Sequence, residues 1–212
     1  MKFFWSAILL SCMAACTPIR KSEKSEISNA QGKGCVYDRQ SMLTQELDVF
    51  DQSASGVRSI YAKNANCKKD AADLIHDYRL ARPETLDDFN SYLLFWHEGQ
   101  LRAEIGDYAG AIPLFEGARM SNNVGPEVGS IWNFYVDATI AFAKRDRAAL
   151  VAARESLAAV PKNYLRGAKQ PPNLNVVDGL VSCFDRPYSE AYNLCKKNSV
   201  GINIPARHEA IQ

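Results

Sequence analysis

Gly106-Asp107-Tyr108-Ala109-Gly110-Ala111-Ile112-Pro113-Leu114-Phe115-Glu116-Gly117-Ala118 is the stretch that decides the fold. Gly106-Asp107 is a break between two apolar-periodic segments, because glycine and aspartate favour turns and helix starts over helix interiors. On its C-terminal side a helix is predicted from about Tyr108 to Met120. Pro113 is expected close enough to its start for the missing amide to cost little. On the N-terminal side a long helix is predicted from about Glu84 to Ile105, with two apolar stripes. Leu86, Phe89, Leu93 and Trp96 form one, and Leu94, Leu101 and Ile105 the other. A helix apolar on two sides is sandwiched between neighbours.

Working outward, helical spacing recurs on both sides. A first helix is expected over Asp38–Gln52, where Leu43, Leu47 and Phe50 share a face, and a second over Lys68–Ala81, stopped by Pro83. Ser121–Gly129 reads as a loop. Helices follow at about Ser130–Ala143, Ala148–Val160 and Leu174–Phe184, with a last turn over Ser189–Lys196. No long alternating stretch favours strands. The fold class is therefore all-α, built of antiparallel helical hairpins with short connections.

The residues around Gly106 resemble a tetratricopeptide repeat. Gly99 matches the small residue midway along that family's helix A. The Gly-Asp-Tyr turn follows, and Ala111, Phe115 and Ala118 match the helix B pattern of small, aromatic and small residues. Glu98 and Arg102 depart from it, standing where apolar or aromatic residues are usual, and Asn123 replaces the closing proline. Ala149, Ala153 and Pro161 give a weaker second copy about 38 residues on, against about 34 in the family. The resemblance implies a short α-solenoid over residues 86–161. It also implies a partner-binding groove on the A-type helices, near Trp96, Gln100 and Phe134. Aromatic residues are common anchors in such grooves, although most of these rings also suit a core.

The N-terminus reads as an export signal. Lys2 precedes an apolar run, Phe3–Met13, that is too short for a bilayer span of roughly 20 residues. Met13-Ala14-Ala15-Cys16 resembles the lipobox of bacterial lipoproteins, which implies cleavage after residue 15 and a diacylglycerol, with palmitate-type chains, on Cys16. An ordinary signal cleaved at the same place is the alternative. Thr17 stands where aspartate would mark inner-membrane retention, so the resemblance points to the outer membrane, facing the periplasm. Residues 16–34 are polar and form an expected lipidated flexible tether, spanning ~20–25 Å as a coil. Residues 35–85 are an expected N-terminal helical pair, 162–197 a C-terminal helical cap, and 198–212 a loose tail.

Cys35, Cys67, Cys183 and Cys195 remain after the lipidated cysteine. An even set in an exported chain suggests two disulfides. Of the three pairings, Cys35–Cys67 and Cys183–Cys195 are favoured because each closes a local loop around predicted helix.

Charge and motifs exclude more than they identify. Removing the signal takes the formal charge from +1 to zero. A balanced chain lacks the clustered basic surface that nucleic acid requires. The nucleophile-elbow, HExxH zinc, P-loop and dinucleotide motifs are all absent. His97-Glu98 lacks a second histidine one turn on, and no metal or cofactor is expected. The reading is a non-catalytic interaction module that binds another envelope protein or peptide and meets the membrane through its lipid. The alternatives are an immunity lipoprotein that neutralises a periplasm-delivered toxin, and an envelope enzyme acting on cell wall or lipid.

Overall fold

The computed structural model describes residues 34–82, 86–121, 126–161, 163 and 167–196. The expected signal peptide, Cys16, almost all of the expected tether, and the expected tail lie outside the described residues. Every regular element described is helical: α1 (Arg39–Thr44), α2 (Arg58–Ala62), α3 (Lys68–Ala81), α4 (Asp88–Glu104), α5 (Tyr108–Gly117), α6 (Pro126–Ala143), α7 (Arg147–Ala158), α8 (Leu174–Ser182) and α9 (Tyr188–Asn193). A π turn spans Asp48–Gln52, and a 3-10 turn, Ala65–Cys67, leads into α3.

One chemical device starts four of these helices. Asp38, Asp87, Asp107 and Asp146 precede α1, α4, α5 and α7, and each carboxylate accepts the amide N–H three residues on, at 3.0, 2.8, 2.9 and 2.9 Å. The carboxylate satisfies an otherwise unpaired first-turn donor and favours the positive helix end.

The two turns before α5 and α7 close the same way. Gly106 at φ +84 and Arg145 at φ +59 sit in the left-handed region. Asp107 N–H reaches Arg102 O, and Asp146 N–H reaches Ala141 O, both at 2.9 Å. This six-to-one bond is the Schellman closure. Asp107 and Asp146 stand 39 residues apart, one more than the spacing expected from the alanines. At that spacing buried Leu150, and not exposed Ala149, corresponds to Ala111.

Two apolar clusters divide the molecule, and α4 belongs to both. Phe50, Val57, Ile60, Leu74, Ile75 and Tyr78 surround Leu94 and Leu101 on one side. Trp96 and Ala103 face the other, with Phe115, Trp132, Tyr135, Phe142, Leu150 and Tyr188. The two-stripe reading of this helix holds, with Ile105 instead largely exposed and Leu86 moved to the Leu94 side. Helix α3 packs on α4, α4 on α5, α6 on α7, and α8 on both α6 and α7.

Glu98 explains why α4 departs from the repeat pattern. It is buried, with side-chain exposure of 1 %. Its carboxylate takes Arg79 of α3 at 2.5 Å and Arg102, one turn on, at 2.8 Å. The position is polar because it docks α4 onto α3.

Three expectations need correction. The first expected helix is broken after Thr44, and the 35–85 segment holds more than a helical pair: α1, a π turn and α2 precede α3. Helix α6 begins at Pro126, inside the expected loop, since a proline at the first helical position is pre-organised. Pro113 stands at the expected place in α5, but past the unpaired first turn. Ala111 N–H already bonds to Asp107 O at 3.0 Å, so the proline interrupts a bonded turn. The disulfides are Cys35–Cys67 and Cys183–Cys195, the favoured pairing.

Candidate functional site

A cleft of about 310 Å³ opens over α4 and α6. Leu93, Trp96, His97, Gln100, Leu101 and Glu104 of α4 form its floor, at the three- and four-residue spacings that share one helix face. Trp132 and Tyr135 of α6 continue it. Trp96 packs against both rings, with centroids 5.1 and 4.6 Å away.

The wall on one side comes from inside the Cys35–Cys67 loop: Asp51, Val57, Arg58 and Tyr61. The π turn sets it. Phe50 turns inward and stacks on Tyr78 with centroids 3.9 Å apart, and Asp51 beside it is also buried. Gly56 permits the chain to fold back: a β-carbon there would lie 2.1 Å from Phe50 O. Val57 N–H then donates to that carbonyl at 2.7 Å, and Arg58 Nε donates to Asp51 O at 3.0 Å. π turns recur at functional sites. The opposite wall includes Tyr192 of α9, from inside the Cys183–Cys195 loop, and Asn173 at the head of α8.

Asp51 Oδ1 and His97 Nδ1 are 2.8 Å apart. Since the histidine is fixed through Nδ1, its Nε2 is the ring nitrogen left for other partners. Glu104 pairs with Lys68 at 2.7 Å. Arg58 lies near these groups and makes no carboxylate ion pair among the described residues; burial raises the Tyr61 hydroxyl above its ordinary range, with the Arg58 charge opposing and Glu104 and Asp51 adding to the rise. Deeper in, burial pushes the Tyr135 hydroxyl well above its ordinary range, reinforced by Tyr192 and Tyr188. Tyr188 is raised likewise by burial and by Tyr192, with the nearby Gln100 amide opposing.

Two of the three groove residues expected from sequence meet here. Trp96 lines the floor but is almost wholly buried, so it is structural as well. Gln100 lines the cleft. Phe134 packs half-buried against the α4–α8 cluster and is not among the lining residues. Sequence reasoning missed Asp51, Arg58 and Tyr61, which come from a segment with no repeat signal. It also left His97 without a role. His76 and His97 have separate partners, Glu98 and Asp51. No group of three or more potential metal ligands occurs among the described residues, and no described helix is long and apolar enough to cross a membrane.

No protein family, curated protein or solved structure matches this chain. The cleft's own chemistry therefore carries the functional argument. No serine, threonine or cysteine lines it. Its lining offers stacking faces and hydrogen bonds, with one oriented imidazole.

Proposed function

We propose that this chain is a membrane-tethered, periplasm-facing interaction module of the bacterial envelope, lipidated at Cys16 and without catalysis of its own. Pairs α4/α5 and α6/α7 act as a short tetratricopeptide-like solenoid, with α4 and α6 as its A-type helices. A segment of another envelope protein seats on their shared face. The observation that carries this reading is the cleft: Gln100 and the edge of Trp96 lie on the A-type face, between walls held by two disulfide-closed loops. Pre-organised walls reduce the ordering cost of binding.

A photo-crosslinker at position 61 in intact envelopes tests it. One discrete protein adduct is expected, lost when the crosslinker is moved to exposed Glu155 on α7. Irradiated samples with no adduct above the dark control would remove the reading.

The Asp51–His97 pair favours a second reading, an envelope hydrolase in which His97 accepts a proton from water. A His97→Ala chain that keeps the adduct and full biological activity would eliminate it.

A further inference from the structure

We infer that the cleft over α4 and α6 is a binding site for a neutral saccharide of about disaccharide size. This rests on the α4/α6 face being the binding face, and adds a ligand that a protein partner does not require. The lining is unusual for a purely protein-directed groove. Tyr61 and Tyr192 are half-buried and supply aromatic surface over a floor of nearly buried Trp96, Trp132 and Tyr135, beside side chains with planar polar ends. A pyranose ring has the matching character. Its axial C–H faces are apolar and stack on aromatic rings, and its equatorial hydroxyls radiate in the ring plane. Planar amide, carboxylate, imidazole and guanidinium groups each present paired donors or acceptors to neighbouring hydroxyls.

Charge narrows the class. Asp51 and Glu104 are balanced by Arg58 in the wall and by Lys68 on Glu104, before His97 is counted. The site has no surplus of either sign to stabilise an anion or a cation, and burying an uncompensated charge there is costly. Fixing also matters. Asp51 is anchored through His97, its neighbour Gln52 and, by its carbonyl, Arg58. Its carboxylate is therefore held in place before ligand arrives, as precise hydroxyl recognition needs. The volume lies at the lower end of small-ligand pockets, ~300–1,000 Å³, which suits a short glycan unit.

Tryptophan fluorescence reads the site directly, since Trp96 and Trp132 lie in it. The full-length protein in detergent is titrated with N,N′-diacetylchitobiose, maltose and glucuronate. Saturable emission change is expected with a neutral disaccharide, with glucuronate at least about tenfold weaker. Tyr61→Ala and Gln100→Ala should each weaken the neutral ligand by about tenfold or more, with far-UV circular dichroism unchanged. No saturable response to either neutral disaccharide would overturn the inference, as would equal response in wild type and both variants, or stronger binding of glucuronate. A chain that ignores saccharides yet still forms the position-61 protein adduct loses this inference alone; a chain that binds saccharide without the adduct loses the adaptor reading alone.

Discussion

Gly99 lies so close to Phe115 that a β-carbon on it would stand 2.9 Å from two atoms of the ring. The contact joins α4 to α5 at the point where both helices approach. Phe115 has no room to yield, since it is fully buried and its ring centroid is 4.9 Å from that of Trp96. Through Trp96 the same contact supports the floor of the cleft.

Gly99→Ala should therefore destabilise the fold despite alanine's better helix propensity. Overpacking costs ~1–3 kcal/mol, against ~1 kcal/mol gained in the helix. A net loss of up to about 2 kcal/mol is expected in urea unfolding, with a shifted tryptophan emission maximum. A variant as stable as wild type would show that the ring moves freely.

Glu98→Leu should cost more. It removes the carboxylate shared by Arg79 of α3 and Arg102 of α4, leaving Arg79 without that partner while Arg102 keeps Asp73 at 3.2 Å. Breaking one partner of a buried ion network costs ~3–5 kcal/mol. Adding Arg79→Met and Arg102→Met should recover a large part of it, because the loss arises from stranded charge. Failure of the triple variant to regain stability would locate the cost in packing.

Much of this was legible in the sequence, and the limits have physical causes. Lys68–Ala81 and the paired stripes of α4 follow from periodicity, which burial enforces. Gly99 and Phe115 were readable because a small residue opposite a large one is a local signature of close helices. Glu98 read as a misfit until the fold supplied Arg79 from another helix. The cleft walls were hidden for a different reason. Asp51 reaches His97 only because a π turn and Gly56 reverse the chain, and no helical period encodes that. The one-residue shift of the second copy is of the same kind: it is fixed by Asp146 and a non-glycine left-handed turn, not by the alanines that suggested the register.

The buried phenols predict alkaline sensitivity. Tyr135 and Tyr188 are raised well above their ordinary pKa by burial, so the folded chain keeps protons that the unfolded chain releases near ~pH 10. This contribution is fully present below that pH and is lost as pH rises through and beyond it. Urea midpoints should be flat up to about pH 9 and then fall, by up to ~1.4 kcal/mol per pH unit for each phenol. Two tyrosines should ionise only with unfolding when absorbance near ~295 nm is followed. Reversible ionisation of every tyrosine in the folded chain would contradict the packing around α9.

The anchor can be tested apart from the cleft. Cys16→Ser should abolish labelling by palmitate and release the chain from the membrane fraction, since each buried methylene contributes ~0.8 kcal/mol. Unchanged membrane retention would place attachment elsewhere in the chain.

The two disulfides should differ in what their loss does to the cleft, because each closes a loop that carries a different wall. The Cys35–Cys67 loop carries Asp51, Val57, Arg58 and Tyr61; the Cys183–Cys195 loop carries Tyr192. For sequence separations of 32 and 12, the chain-entropy model gives roughly 4 and roughly 3 kcal/mol of stabilisation. Both pairs of alanine variants should therefore be less stable by similar amounts. Their local effects should separate. Without Cys35–Cys67 the Asp51–His97 contact loosens, and ligand binding should fall while Tyr135 and Tyr188 stay unionised in the folded chain. Without Cys183–Cys195, α9 loses its covalent tie and keeps its core contacts through Tyr188 and Ala191, the Tyr188 N–H bond to the Tyr108 hydroxyl, and the turn before it, whose Phe184 and Arg186 carbonyls accept from Arg145. Tyr135 would then be uncovered and should ionise at lower pH. Measuring tyrosine titration and ligand affinity on both double variants gives a crossed pattern. If both variants lost affinity and shifted the phenols alike, the walls would not be independent, and the cleft would be one cooperative unit with the core.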